Sequence, residues 1–235
     1  MTYLGISAAM TEITPFNIVF VIFDGITQLD FAGPVQFLSR LPAAKMHVVA
    51  KSLSPIQTDC GFAILPGGTF ADCPQADLLC VPGGHGVTPA LSDAETINFI
   101  ATQAASAQWV TSVCTGAMLL GAAGLLKGKR ATTHWAYVHL LASFGATFED
   151  ARVVKDGNLI TAGGVTSGID FALEVIAQVA GEDVARTIQL ALEYDPKPPF
   201  EGGRPSRTPP AIVAALKTRV YNEAAANMET AIRAL

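Results

Sequence analysis

The sequence is poor in charged residues and in cysteine. Charged side chains make up only 15% of the 235 residues, whereas 50% are hydrophobic, so the chain can bury a sizeable core and disorder is not expected. The 15 Lys and Arg against 20 Asp and Glu give a formal net charge of -5, with no basic block. Nucleic-acid binding requires clustered Lys and Arg, so nucleic acid is not an expected partner. The length suits one large domain.

Long apolar runs and a secretory leader are also missing. A membrane span needs about 18 unbroken apolar residues. The most apolar stretch, residues 113–126, is too short and too rich in glycine, so no membrane association is expected. The N-terminus lacks a basic start followed by an apolar core, which argues against a secretory signal. Met10 is a candidate natural start, and residues 1–15 are taken as an N-terminal extension.

The four cysteines, Cys60, Cys73, Cys80 and Cys114, form neither a C-x-x-C pair nor a Cys/His cluster with zinc-like spacing. Disulfide scaffolds are usually smaller and denser in cysteine, so we predict free thiols in a reducing cytoplasm. Two disulfides are the alternative that an even count allows. No metal and no cofactor are expected.

Apolar runs alternate with helical patterns along most of the chain. The predicted strands are 17–23, 45–51, 76–84 and 109–114, and the predicted helices are 29–41, 92–107, 134–145, 167–181 and 182–194. Ser92 and Glu95 have the spacing of a capping box, and Asp156-Gly157 predicts a hairpin within 152–161. This alternation predicts an α/β fold, a mainly parallel sheet sandwiched by helices, over residues 16–194.

The C-terminal residues 195–235 differ in composition. Proline and glycine dominate residues 195–210, which predicts an extended segment, and an amphipathic helix is predicted over about 210–233. We treat 195–235 as a separate proline-rich segment and helix.

Cys114 is the last residue of a predicted strand and precedes a predicted helix. A strand-to-helix turn exposes its apex residue, and the amides of a helix N-terminus favour a thiolate there. The glycines of "PGGHG", residues 82–86, end a different strand and allow backbone amides to approach a ligand. Ligands bind at the carboxyl ends of parallel strands, so the two turns are expected to meet. The alternative for Cys114 is a small, buried, inert residue.

Asp30 is the candidate acid or base for a reactive cysteine. It lies between Leu29 and Phe31 after the first strand, and an acid in apolar surroundings has a raised pKa and can carry a proton. The equally weighted alternative is that Asp30 caps the following helix. His134 is a second candidate for proton transfer, although a structural, hydrogen-bonded role is favoured, and His85 is expected at the rim of the site.

Four segments resemble the ThiJ/PfpI superfamily: "QLDFAGP", "CVPGGHG", "SVCTGAMLLGAAGLLKGKRATTHW" and "GGVTSGIDFALEVIA". The resemblance implies a flavodoxin-like, class I glutamine amidotransferase-like fold and a metal-free homodimer. Within the superfamily the chain is most similar to the branch that hydrates isonitriles, and "LEYDPKPPF" resembles the tail of that branch. Transcription regulators share the central pattern, but only about 35 residues follow Phe200, which favours a free-standing enzyme.

The resemblance also implies roles for individual residues. Cys114 matches the nucleophile, Asp30 the catalytic acid, and Thr115 the residue that tunes the nucleophile. Gly83 and Gly84 match the glycine turn beside the cysteine, where substrate or an oxyanion would bind with His85 at the rim. His85 replaces a smaller residue expected at its position.

The implied reaction is R–N≡C plus water giving an N-substituted formamide through a covalent thioimidate. Two alternatives stay open. One is another cysteine activity of the superfamily, as glyoxalase, deglycase or amidohydrolase. The other is a non-catalytic redox or small-molecule sensor. Thr115 in place of a histidine, and Asp30 in place of a glutamate, disfavour the first alternative.

Overall fold

The computed structural model describes residues 14–235. Within this range the strands, in chain order, are β1 (Phe16–Val21), β2 (Ala44–Ala50), β3 (Ile56–Gln57), β4 (Ala63–Ile64), β5 (Gly68–Thr69), β6 (Leu78–Val81), β7 (Trp109–Val113), β8 (Arg130–Ala131), β9 (Thr147–Phe148), β10 (Val153–Asp156) and β11 (Leu159–Ala162). Seven of them form the central sheet in the order β10-β11-β7-β6-β1-β2-β5. All neighbours in this sheet pair in parallel except β10 and β11, the predicted hairpin.

Helices cover both faces of the sheet. Their bounds are α1 (Gln28–Leu38), α2 (Val87–Ala90), α3 (Ala94–Ala104), α4 (Gly116–Ala122), α5 (Ser167–Ala180), α6 (Glu182–Ala191), α7 (Pro210–Leu216) and α8 (Asn222–Arg233). Short 3-10 helices span Val138–Phe144 and Pro205–Arg207, and a π-helical turn spans Lys217–Tyr221. The mainly parallel, helix-sandwiched sheet predicted from the sequence is confirmed.

The apolar runs of the central strands explain this layering. In β1, Ile18 and Phe20 point into one core and Val19 and Val21 into the other, because successive side chains of a strand alternate in direction. One core lies under α5, and the other lies under α4. Strands buried on both faces need continuous apolar sequence, as "NIVFVIF" provides.

Two local predictions are wrong. The helix expected over 134–145 is a 3-10 helix confined to Val138–Phe144, although Gly145 ends it in the left-handed conformation, at φ 70°. The capping box at Ser92 and Glu95 does not form, because Asp93 is the N-cap residue of α3. The Glu95 carboxylate instead pairs with Lys51 at 3.5 Å.

The C-terminal segment packs back onto the domain. No helix or strand occurs between Ala191 and Pro205, as the proline content predicted, and α8 buries Ala225, Met228 and Ile232 in the core under α4. The chain from 14 onward contains no helix that is long and apolar enough to cross a bilayer. Most of the predicted N-terminal extension, residues 1–13, lies outside the described residues.

Candidate active site

The carboxyl ends of three neighbouring strands bring the candidate residues together. Strands β7, β6 and β1 are adjacent in the sheet. Cys114 directly follows β7, Gly83 and Gly84 follow β6, and Asp30 lies in the first turn of α1, the helix after β1. The sequence prediction that these segments meet at one edge is confirmed.

Cys114 occupies a strained turn. Its φ is 56°, in the left-handed region that non-glycine residues rarely adopt, which costs about 1–2 kcal/mol. Its amide donates to the carbonyl oxygens of Gly163 at 2.9 Å and Ala162 at 3.1 Å. Its carbonyl oxygen accepts a hydrogen bond from Thr133 Oγ1 at 2.7 Å. These contacts hold the backbone in a conformation that the chain alone disfavours.

The strand-to-helix turn at Cys114 also requires close packing against β6. A Cβ on Gly116, at the start of α4, would overlap the carbonyl oxygen of Val81. Cys114 itself is 5% exposed and sits at the junction of β7 with α4.

Asp30 is fully buried. The Gly83 amide donates to its Oδ2 at 3.0 Å, while Oδ1 has no hydrogen-bond partner among the described residues. Burial raises the pKa of Asp30 to about 7, the Gly83 amide opposes that rise, and the nearby charge of Asp59 adds to it. Asp30 therefore accepts from another element instead of capping its own helix.

Asp59 performs the capping that Asp30 does not. Its Oδ1 accepts a hydrogen bond at 2.9 Å from the amide of Gln28, the first residue of α1. Its own amide donates to the carbonyl oxygen of Ile26 at 3.0 Å. The loop between β3 and β4 thus fixes the start of the helix that carries Asp30. Nothing in the local sequence marked this contact, which spans 31 positions.

The thiol of Cys114 approaches the Asp30 carboxyl group closely enough for each to shift the pKa of the other. Burial and the charge of Asp30 raise the pKa of Cys114 well above its ordinary value, while the amides of Thr115 and Val165, which point at the sulfur, lower it. The amides at the start of the helix thus favour the thiolate in the expected direction, but burial and the charge of Asp30 oppose them. Desolvation outweighs the few donors offered by a seven-residue helix.

The glycine turn has a different role from the one predicted. The Gly83 amide donates to Asp30, and the Gly84 amide donates to Thr115 Oγ1 at 3.0 Å. Both amides are engaged by the protein, so they do not form a free oxyanion cradle. They position Asp30 and Thr115 instead. The amides of Thr115 and Val165 are the backbone groups that lower the pKa of Cys114.

Replacing Gly83 by alanine is expected to disable the site. The added Cβ would lie 2.6 Å from the Thr115 amide nitrogen and 2.9 Å from Asp30 Oδ2, and overpacking of this kind costs about 1–3 kcal/mol. Thermal unfolding and turnover measure the effect. Gly202→Ala is the control, because its Cβ would meet only Thr208 Oγ1 at 3.6 Å. Unchanged activity in the Gly83 variant would contradict the positioning role of this turn.

The two histidines near the site differ in environment. His85 is exposed and interacts electrostatically with Asp59, and its place at the rim of the site stays a prediction. His134 is buried, and its Nδ1 accepts a hydrogen bond from the Ala136 amide at 3.3 Å. Burial lowers the pKa of His134 to about 4. Its neutral ring and local hydrogen bond agree with the favoured structural role.

No three His, Cys, Asp or Glu side chains lie together as candidate metal ligands anywhere in residues 14–235. All four cysteines have free thiols, and Cys80 and Cys114 are the buried ones. A thiol beside a buried, protonatable carboxyl group can add to an electrophilic carbon and move a proton in the same event. Together with the parallel sheet, these groups define an α/β protein that carries a cysteine at a strand-to-helix turn.

Comparison with known proteins places the chain more narrowly. The DJ-1/PfpI family profile matches residues 17–178. The chain is 51% identical over 203 residues to the isonitrile hydratase of Pseudomonas putida, covering 86% of this chain and 89% of that protein. It therefore belongs to the DJ-1/PfpI family.

Solved structures of ThiJ/PfpI and DJ-1 proteins have the same fold as this chain. A ThiJ/PfpI family protein from Pseudomonas syringae is 40% identical and superposes with a TM-score of 0.87 over 97% of both chains. Schizosaccharomyces pombe DJ-1, at 21% identity, matches with a TM-score of 0.64 over 75% of this chain and 98% of its own. The second likeness shows the fold alone.

Proposed function

We propose that this protein is an enzyme that hydrates isonitriles to N-substituted formamides. The pairing of the Cys114 thiol with the buried carboxyl group of Asp30 is the observation that carries the proposal. The high identity to the Pseudomonas putida isonitrile hydratase over most of both chains supports the substrate class. The substrate is accordingly a small molecule.

The first half of the reaction forms a covalent intermediate. The sulfur of Cys114 bonds to the terminal carbon of R–N≡C, and the thiol proton passes through the Asp30 carboxylate to that carbon. The product of this step is the thioimidate R–N=CH–S–Cys114. Oδ1 of Asp30, which has no other hydrogen bond among the described residues, is the oxygen available to carry the proton.

The second half releases the product. Asp30, ionised again, takes a proton from a water molecule whose oxygen bonds to the same carbon, and the nitrogen gains a proton. The carbon–sulfur bond then breaks, the hydroxyl proton returns to the Cys114–Asp30 pair, and R–NH–CHO leaves. One carboxyl group serves as acid and base in turn, so no histidine is needed.

The surrounding residues have positioning roles in this proposal. Gly83 orients Asp30, and Thr115, held by the Gly84 amide, fixes the start of α4 beside the sulfur. We also propose the homodimer implied by the family resemblance, and a cytoplasmic location, which four free thiols support.

Turnover of a simple aryl isonitrile by the purified protein tests the proposal. Formamide formation is followed by ultraviolet absorbance, and the product is identified by its mass. We expect steady turnover without added metal or cofactor. The absence of formamide, with the Cys114 thiol shown to be reduced, would contradict the proposal.

The pH dependence should report the shared proton of the pair. The reaction needs one proton between Cys114 and Asp30, and the pKa of Asp30 is about 7. The value of kcat/KM is therefore expected to rise with pH through about 7 and to stay high until the thiol itself ionises. Asp30→Glu should move this limb and His134→Gln should not, because His134 stays neutral above its pKa of about 4. A limb that moved only in the histidine variant would contradict the assignment.

A further inference from the structure

The segment "RATTHW", residues 130–135, passes beside the turn at Cys114. It belongs to a stretch that resembles the ThiJ/PfpI superfamily, but neither the resemblance nor the proposed reaction gives its two threonines a role. Strand β8 begins the segment, and Thr132 and Thr133 follow with exposures of 2% and 3%. Polar side chains that are buried this deeply need hydrogen-bond partners, so the partners of the two threonines indicate what the segment does.

Thr132 anchors this segment to the central sheet. Its amide donates to Thr161 Oγ1 at 2.9 Å, and its hydroxyl donates to the Ala151 carbonyl oxygen at 3.1 Å. Thr161 is a fully buried residue of β11, the strand that pairs with β7. Because these bonds lie one residue before Thr133, the Thr133 side chain extends from a backbone that is already fixed.

Thr133 spans 19 positions to reach the turn, where its Oγ1 donates to the Cys114 carbonyl oxygen at 2.7 Å. In a regular helix the amide of Met118 would supply that hydrogen bond, but it donates to the Thr115 carbonyl oxygen at 2.9 Å instead. No other donor to the Cys114 carbonyl oxygen occurs in residues 14–235. A buried carbonyl oxygen without a partner is costly, and the Thr133 hydroxyl removes that cost here.

The same bond fixes the plane of a peptide group. The Cys114 carbonyl and the Thr115 N–H belong to one planar trans peptide, so they point in opposite directions. Gly83 lies on the N–H side, where an added Cβ would be 2.6 Å from the Thr115 nitrogen. On that side the Thr115 amide also lowers the pKa of Cys114. Holding the carbonyl oxygen with Thr133 thus directs the N–H toward the reacting side of the turn.

We propose that Thr133 is a positioning residue for Cys114, whose hydroxyl holds the peptide group between Cys114 and Thr115 and thereby the direction of the sulfur. The inference rests on the proposed function for the role of Cys114 as nucleophile. Without the hydroxyl, this peptide group can rotate and Cys114 can leave its left-handed φ of 56° for a more ordinary conformation. The sulfur would then shift relative to Asp30, although both reacting groups are still present.

Thr133→Val tests the assignment, because valine keeps the shape of threonine and removes the hydroxyl. It is expected to lower kcat for isonitrile hydration about 10–100-fold with little change in KM, since misplaced reacting groups slow the chemical step. Thr133→Ser restores the hydroxyl and should recover most of the turnover. Thr111→Val is the matched control, because Thr111 is fully buried and its hydroxyl donates to the Leu79 carbonyl oxygen at 2.8 Å. It should lower the melting temperature by a similar amount and leave kcat unchanged.

Alkylation by iodoacetamide provides a readout that needs no isonitrile. The rate at Cys114 is followed by the mass of its peptide, with the exposed Cys60 as the internal reference. Thr133→Val should slow the alkylation of Cys114 and move its pH profile to higher pH, because the Thr115 amide no longer faces the sulfur. Thr111→Val should change neither property.

The two readouts separate the positioning role from the proposed reaction. If no isonitrile is turned over and alkylation of Cys114 slows only in Thr133→Val, the positioning role is supported and the proposed reaction fails. Unchanged kcat and unchanged alkylation in Thr133→Val would overturn the inference. So would an equal loss of kcat in Thr111→Val, or in Thr133→Ser, which keeps the hydroxyl.

Discussion

The Cys114→Ala variant is expected to show no isonitrile hydration above the uncatalysed rate. Alanine removes the sulfur that forms the thioimidate, and the Asp30 carboxyl group alone has no nucleophile to assist. The left-handed backbone at this position is held by the Gly163 and Thr133 contacts, so alanine is expected to adopt the same turn. The fold should therefore survive, and loss of activity can be assigned to the missing sulfur. Formamide formation and far-ultraviolet circular dichroism measure the two properties.

A second cysteine gives the matched control. Cys73 is partly exposed, packs at the edge of the core under α4 and donates a hydrogen bond to the neighbouring Pro74 carbonyl oxygen at 3.3 Å, so Cys73→Ala should retain full turnover. Mass spectrometry of the wild type quenched during turnover should show an adduct of the isonitrile on Cys114. Full turnover in Cys114→Ala would remove the covalent mechanism altogether, whatever the substrate.

Asp30→Asn is expected to lower kcat/KM by roughly 10²–10⁴-fold, the usual contribution of a group that transfers a proton in the transition state. The asparagine side chain keeps the shape and the contact with the Gly83 amide but carries no exchangeable acid proton. Asp77→Asn is the control, because that carboxylate also accepts a backbone amide hydrogen bond, from Asn17 at 2.7 Å, before β6 and away from the site. Equal loss in both variants would indicate a general effect of the substitution.

The same variant should be more stable than the wild type at alkaline pH. Folding raises the pKa of Asp30 from 3.8 to about 7, so the folded state holds a proton that the unfolded state has lost. The stability that this proton contributes is complete below about pH 4 and is lost as the pH rises to about 7. A shift of this size corresponds to at most about 4 kcal/mol. Between pH 4 and pH 8, urea unfolding should show the variant gaining on the wild type, and a constant difference would argue against a buried, titrating carboxyl group.

The elements of the site differed in how well the sequence predicted them. The turn at Cys114 and the acid at Asp30 were accessible because each follows an apolar strand, and parallel strands bring their carboxyl ends to one edge. The upward shift of the Cys114 pKa was not accessible, since it depends on total burial, which the local residues do not reveal. The hydrogen bonds of the Gly83 and Gly84 amides could not be predicted either, because their acceptors, Asp30 and Thr115, are distant in the sequence.

Contacts between segments that are distant in the sequence were also not predicted. Asp59 reaches the start of α1 from a loop far along the chain, and it lies in a stretch with no motif. The helical pattern over 134–145 was read correctly as helical but not as a 3-10 helix, because hydrophobic spacing does not separate the two in so short a segment. Hydrophobic periodicity predicted the sheet and most helices well, but it could not predict contacts between segments that are distant in the sequence.

The proton that burial keeps on Cys114 also bears on the durability of the molecule. Peroxide and common electrophiles attack thiolates, and burial together with the charge of Asp30 raises the pKa of Cys114, which disfavours the thiolate. A protein built to sense oxidants would need the opposite arrangement, an exposed sulfur ready to react with the first peroxide it meets. In the proposed mechanism the sulfur loses its proton only as Asp30 passes that proton to a bound substrate. The burial of Cys114 would then shield from oxidants the atom on which the proposed turnover depends.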